Sequence, residues 1–156
     1  MSDLVVIGGG AAGLFAAGFA AKGGGSVTVL ERGARPARKL LITGKGRCNV
    51  TNNCSPEDFL RNVRTNPRFL YGSASAFSPA DAMAFFESLG VPLKTERGGR
   101  VFPVSDRAAD VADALVRFAK ASGARLVTSA RVTDILAEDG GVRLSLIHIS
   151  EPTRPI

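Results

Sequence analysis

Leu4-Val5-Val6-Ile7-Gly8-Gly9-Gly10-Ala11-Ala12-Gly13-Leu14-Phe15 opens the chain with an apolar run, a glycine turn and a stretch of small residues. The pattern predicts a strand over Leu4–Ile7 covered on both faces, as in a parallel sheet. A helix over Ala11–Ala21 follows, rich in a strong helix former and stopped at Gly23–Gly25. Each glycine of Gly8-x-Gly10-x-x-Gly13 has a separate task in a dinucleotide site. Gly8 makes the tight turn, Gly10 lets backbone approach a pyrophosphate, and Gly13 lets the helix sit close to the sheet. The helix N-terminus then offers free N–H groups to phosphate. Ser26–Glu31 reads as a second strand ending in an acid 18 residues after Gly13, near the spacing of a ribose-binding carboxylate. Strand, turn, helix, strand and acid in this order predict a nucleotide-binding βαβ unit.

A chain of 156 residues suits one domain with a sizeable core. No apolar run approaches the roughly 18 residues of a membrane span. Asp3 stands where a signal peptide would be basic. Two cysteines and no signal point to the reducing cytoplasm. The net charge of +6 suits a nucleic acid or an anionic cofactor. With one Tyr and no Trp, aromatics interleaved with basic residues are scarce, which argues against nucleic acid as a partner.

Residues 32–47 form a basic, glycine-bearing connection, within which Leu40–Thr43 is a short helical or extended piece, and Asn49–Asn53 reads as loop. Ser55-Pro-Glu-Asp58 and Ser78-Pro-Ala-Asp81 are helix starts, with Ser at the N-cap and Pro at the first helical position. The second helix carries Met83, Phe85, Phe86 and Leu89 and ends at Gly90. A hairpin is predicted from Val91–Glu96 and Arg100–Val104, with Pro92 and Pro103 marking edge strands. Ser105 opens a helix to about Ser122 with Val111, Leu115 and Phe118 on one face. Strands over Arg125–Ser129 and Arg131–Leu136 and a turn at Gly140–Gly141 complete the reading, with no linker and no second domain.

Ser145–Arg154 breaks the character of the chain. The codons TCT CTT ATA CAC ATC TCC GAG CCC ACG AGA, a transposase-type sequencing adapter, translate to it residue for residue. Natural sequence is therefore expected to end near Arg143, with 144–156 an adapter-derived tail. His148, the only histidine, falls in that tail and is not taken as an acid or base.

Three constellations carry chemistry. Glu31 can accept two hydrogen bonds from a ribose diol and repels a 2′-phosphate, which suits FAD or NAD rather than NADP at that position. Lys39–Asn49 combines Gly44 and Gly46, which admit a ligand close to backbone, with donors from Thr43, Lys45, Arg47 and Asn49; a solvated basic loop has the same composition. Cys48 and Cys54, with no histidine near, cannot make a four-ligand zinc site, and their spacing is not C-x-x-C; they read as ordinary small side chains, Cys48 being a weak redox candidate.

Val6–Leu14, Arg38–Asn49 and Gly98–Ser105 together resemble the bacterial BaiN-like, aminoacetone-oxidase-like family of NAD(P)/FAD-dependent flavoproteins over roughly residues 3–143. The long middle motif is the most specific of the three. The resemblance implies that Gly8, Gly10, Ala11, Ala12 and Gly13 cradle the FAD pyrophosphate and that Glu31, with Arg32 beside it, serves the adenosine ribose. It implies that Lys39, Thr43, Gly44, Gly46, Arg47, Cys48 and Asn49 line the cofactor towards its flavin, and that the backbone of Val132 pairs with adenine. Arg100–Pro103 lie in the third motif without an assigned role. The resemblance implies a substrate domain and a final segment that closes over the flavin, and both are expected to be missing from this sequence.

The expected fold is α/β: a Rossmann-like FAD-binding domain, incomplete, with a β-hairpin and extra helices. The expected function is the FAD-binding part of a flavin-dependent oxidoreductase acting on a small-molecule substrate, with NAD(P)H as electron donor and the fragment itself inactive. No catalytic residue and no metal ligand is nominated. Two rivals stand beside it: an NAD-binding dehydrogenase without flavin, which the glycine fingerprint equally admits, and a basic tRNA-associated flavoprotein module, which the charge admits.

Overall fold

A computed structural model describes residues 2–138 and 140–148. The last part of the expected adapter tail, 149–156, lies outside the described residues. In chain order the elements are β1 (Leu4–Ile7), α1 (Ala11–Lys22), β2 (Val27–Leu30), α2 (Arg38–Ile42), β3 (Thr51–Asn52), α3 (Pro56–Arg61), α4 (Tyr71–Ala76), α5 (Pro79–Ser88), β4 (Leu93–Thr95), β5 (Arg100–Pro103), α6 (Ala108–Ala121), β6 (Arg125–Val127), β7 (Ala130–Glu138) and β8 (Gly141–His148). They group into two compact units where the sequence reads as one: residues 1–38 with 115–156, and residues 39–114. The second is inserted between β2 and β6 without a Gly/Ser/Pro-rich linker, so composition carries no trace of it.

The first unit holds a parallel sheet in the order β1-β2-β6, with Leu4 opposite Val27 and Thr28 opposite Arg125. β2 is central, and its Val27, Val29 and Leu30 are buried. α1 lays Leu14, Ala17 and Ala21 in the core. Full burial of a side chain the size of Leu14 stabilises by about 1.5–3 kcal/mol. Gly18 of α1 faces Phe118 of α6, and a Cβ there would collide with the ring's Cε1. The helix therefore approaches closely only because that position is glycine. Phe118 also packs on Phe19, ring centroids 5.2 Å apart.

β1 departs from its expected setting. It is the edge of the sheet, no described strand pairs with its outer side, and Leu4, Val5 and Ile7 are 42%, 40% and 51% exposed. A continuous apolar run signals a strand made to be covered on both faces; the described residues cover it only in part. β7 and β8 form an antiparallel hairpin from Ala130 opposite His148 to Glu138 opposite Gly141, with an irregularity between Val132 and Asp134.

The second unit holds the antiparallel sheet β3-β5-β4. Thr51 and Asn52, expected as loop, pair with Val101 and Arg100. β5 is thus central rather than an edge. Pro103 is tolerated because it is the strand's last residue, where its missing N–H interrupts no ladder. Ser55 caps α3, accepting from the Asp58 N–H at 3.1 Å. Ser78 and Asp81 form a reciprocal capping box on α5. The core of this unit is Cys48, Val91, Ala108, Val111 and Ala114, with Leu40, Val50, Phe86, Leu89 and Leu93 packed against it.

Candidate nucleotide-binding site

In the first unit the fingerprint glycines divide by conformation. Gly8 has φ +103°, a left-handed-side value that a side chain resists, and its N–H donates to the Leu30 carbonyl at 2.8 Å. A Cβ on Gly13 would overlap the Gly8 carbonyl oxygen, so helix and turn can be this close only with glycine at that position. Gly10 differs: φ is −81°, and a Cβ there would meet nothing within 4 Å. That open space lies in front of the α1 N-terminus. No side chain caps that end and no acid lies in the first turn, while Gly10, Ala11 and Ala12 are exposed. Uncapped N–H groups and the helix dipole at such an end favour an anion.

Glu31, the residue after β2, is held from both sides. One carboxylate oxygen accepts the Gly9 N–H at 2.8 Å and the other the Gly33 N–H at 2.7 Å. Each carboxylate oxygen retains acceptor capacity for a further donor. The Gly9 carbonyl in turn accepts from the Ala37 N–H at 2.7 Å. Glu31 and the glycine turn are therefore one hydrogen-bonded body. The Glu31 backbone also ties in β6 and β7: its N–H donates to the Val127 carbonyl at 2.8 Å, and its carbonyl accepts the Ala130 N–H at 2.9 Å. Val132 stands two residues further along β7, opposite Leu146 and just before the irregularity. Arg32 is exposed. Sequence spacing nominates Glu31 as an acid near the glycines; its two amide donors come from the fold alone.

The motif Lys39–Asn49 belongs to the second unit. Gly44, Lys45, Gly46 and Cys48 all have positive φ, with Arg47 between them in the right-handed region. The Arg47 N–H donates to the Gly44 carbonyl at 3.2 Å and the Cys48 N–H to that of Thr43 at 3.1 Å. The Thr43 hydroxyl donates to the Leu40 carbonyl at 2.8 Å. Oriented so that its nitrogen donates, the Asn49 amide reaches the Thr51 carbonyl at 2.9 Å and the Val101 carbonyl at 3.2 Å. Lys39 and Lys45 are exposed.

Two expected cofactor residues here have other engagements. Cys48 is 1% exposed, inside the core. Burial pushes its thiol up, partly offset by a hydrogen bond with Thr43, so it is a protonated core side chain rather than a thiolate. Arg47 bonds Glu96 and reaches Asp106 at 2.8 Å, with its guanidinium 4.1 Å from the Phe102 ring centroid. Lys94 joins at 2.7 Å from Asp106. Paired exposed charges contribute little singly, but four in one network with an aromatic floor fix Arg47 in place. Nothing in the spacing of Arg47, Lys94, Glu96, Phe102 and Asp106 announces this cluster; antiparallel pairing of β4 with β5 assembles it.

Hydrogen bonds from Arg47 hold Glu96 below the usual carboxylate range, and those from Lys94 and then Arg47 do the same for Asp106. A carboxylate lowered in the folded state adds stability that is present above its unfolded pKa and is lost as pH falls through its folded one. In Arg47→Ala, the fall of Tm with acid between roughly pH 5 and pH 2 should therefore flatten. A Tm–pH curve of unchanged shape would show that Arg47 does not hold these carboxylates.

Against known proteins, residues 2–152 match the HI0933-like protein Rossmann domain. A 3-dehydro-bile acid delta(4,6)-reductase of Clostridium scindens is 35% identical over 134 residues, 85% of this chain and 32% of that protein. A ribosomal RNA dihydrouridine synthase of Escherichia coli is 29% identical over 145 residues, 92% of this chain and 35% of that protein. The chain thus spans about a third of the length of these relatives. Among solved structures, the 3-ketosteroid-delta4-(5alpha)-dehydrogenase of Rhodococcus jostii superposes with a TM-score of 0.73 at 18% identity, over 95% of this chain and 42% of that one. A flavocytochrome c3 fumarate reductase does so with a TM-score of 0.66 at 22% identity, over 88% of this chain and 28% of that one. At such identities the likeness is one of fold, and it is the Rossmann-like α/β fold expected from the glycine turn. The family is the one to which the three motifs pointed: the chain belongs to the HI0933-like Rossmann-domain family.

Proposed function

We propose that the chain is the FAD-binding part of a flavin-dependent oxidoreductase and that its first unit takes the ADP half of the cofactor. The observation that carries the reading is the Glu31 carboxylate, held by the Gly9 and Gly33 amides beside an uncapped helix end. The donor set fits the group. Gly10, Ala11 and Ala12 would meet the pyrophosphate with backbone N–H groups, and open space at Gly10 admits it. Glu31 would accept the ribose hydroxyls and repel a 2′-phosphate. When bound, FAD supplies hydride acceptance and donation, with NAD(P)H or the substrate as the other party. The residues Lys39, Thr43, Gly44, Gly46, Arg47, Cys48 and Asn49 and the Val132 backbone are assigned to the cofactor on the family resemblance. For Arg47 and Cys48 their engagements leave backbone contact or positioning of the loop as the role.

The names of the relatives supply two substrate classes, a bile acid and ribosomal RNA, and we take a small-molecule substrate as the first reading. The cofactor assignment is tested with ADP on the 156-residue chain. Amide shifts at Gly9, Gly10, Ala11 and Ala12 should saturate on titration, and a 2′-phosphorylated analogue should bind roughly tenfold weaker, about 1.4 kcal/mol. Shifts confined to residues 39–114, or none at saturating ADP, would overturn it.

A further inference from the structure

We propose, resting on the assignment of ADP to the first unit, that Ala37 is a positioning residue for the phosphates: its N–H, bonded to the Gly9 carbonyl, sets the direction of the Gly10 amide. Gly8, Gly9 and Gly10 have no Cβ to restrict them, so their amides point in a fixed direction only where the fold fixes them. One hydrogen bond holds each peptide plane of the turn. The plane that ends in Gly8 is held by its N–H on the Leu30 carbonyl at 2.8 Å, and the next by the Gly9 N–H on Glu31 Oε2 at 2.8 Å. The third plane joins the Gly9 carbonyl to the Gly10 N–H, and Ala37 holds it at 2.7 Å. In a planar trans peptide the C=O and the N–H point to opposite sides. The Ala37 donor behind Gly9 therefore turns the Gly10 N–H away from the segment Glu31–Ala37. Among the described residues nothing accepts from that N–H, and Gly10 is exposed.

Ala37 makes this contact in an uncommon conformation. Its φ of +58° is left-handed, which an L-residue adopts at a cost and keeps only where its surroundings over-determine it. Ala37 is buried, and Pro36 before it lies against Gly9. A Cβ on Gly9 would be crowded by Pro36 Cβ at 3.1 Å and Glu31 Cβ at 3.2 Å. Gly9 is the unspecified position of the fingerprint, yet the segment Glu31–Ala37 passes so close that a side chain there is squeezed. The same segment is anchored at its other end. The Glu31 N–H donates to the Val127 carbonyl at 2.8 Å, and the Ser129 N–H donates to the Gly33 carbonyl at 3.0 Å. Ala37 is thus held in place by the fold before any ligand arrives, and the Gly10 amide with it. An amide already aimed spares binding the cost of ordering it.

Ala37→Pro removes the donor but cannot take φ +58°, so loss of the bond and loss of the fold would coincide. Lactic acid in place of Ala37, which makes an ester of the amide between Pro36 and Ala37, removes the N–H alone. NMR titration of the 156-residue chain compares ADP with adenosine, which has the ribose and no phosphate. The ester protein should bind ADP roughly tenfold weaker than the native chain and adenosine within about twofold of it. In the ligand-free chain the order parameter of the Gly10 amide should fall from about 0.85 to below about 0.6. A purely structural role would weaken both ligands alike. Equal losses for ADP and adenosine, or a Gly10 amide as rigid as in the native chain, would overturn the proposal. Equal ADP affinity in the two proteins would remove the role of Ala37 alone, whereas a native chain that binds no ADP would remove the nucleotide assignment and this role together.

Discussion

Gly13→Ala is expected to destabilise the chain by about 3 kcal/mol, at the upper end of what overpacking costs. The added methyl would collide with the Gly8 carbonyl oxygen, a backbone atom. That atom cannot rotate away as a flexible side chain can, and Val6 Cγ1 stands 3.3 Å from the same methyl position. Either α1 lifts from the sheet or the turn opens. Opening the turn costs the bond from Gly8 N–H to Leu30, and lifting the helix uncovers Leu14. For a chain of this size the loss corresponds to a fall in Tm of about 6–12 °C. Gly10→Ala is the matched comparison, because its methyl meets nothing and its φ is ordinary. Its only structural cost is a poorer helix cap, about 0.5–1 kcal/mol, while ADP affinity should fall at least tenfold because the methyl occupies the space left for phosphate. Melting curves and ADP titrations of the two variants separate the glycine that holds the fold from the one that admits the ligand. A Gly13→Ala protein melting with the native one would refute this division.

Glu31→Gln is expected to lower ADP affinity by about 10- to 100-fold, the loss of one or two charge-assisted hydrogen bonds. The change is nearly isosteric, so packing around Pro36 and Gly9 is kept. Gln retains one acceptor oxygen for two amide donors, Gly9 and Gly33, and turns an NH2 group towards the other. One part-buried donor then lacks an acceptor, which costs about 1–3 kcal/mol of stability. The variant should also discriminate less against a 2′-phosphorylated nucleotide, because the negative charge that repels it is gone. Calorimetric titration with the two nucleotides reads both effects. Retained affinity with unchanged selectivity would remove Glu31 from the ribose role and leave it as a brace for the turn.

What was legible in the sequence was local. Ser55 and Ser78 announce α3 and α5 because capping uses residues three apart. The glycine fingerprint is legible because a tight turn, a close approach and an anion-facing helix end each exclude side chains at adjacent positions. Thr51–Asn52 was not legible as a strand, since two residues carry no alternation, and only the partner β5 makes them one. Arg47 reads as a free basic donor beside glycines. Its engagement with Glu96 and Asp106 depends on residues 49 and 59 positions away. Cys48 reads as an ordinary small side chain beside the glycines, and the fold places it in the core with Val91 and Val111, which are more than 40 residues away.

The sequence by itself determined the βαβ unit, the acid at its end and the capped starts of α3 and α5, since these rest on propensities and excluded volume within a few residues. Tertiary structure decided which glycine is structural and which leaves room, by setting Gly13 against Gly8 and Gly10 against nothing. It decided that Glu31 is tied to the turn, that residues 39–114 form a unit of their own, and that Arg47 is engaged by Glu96 and Asp106. All of these are relations between distant positions, and distance along the chain erases the periodicity by which nearer ones are read.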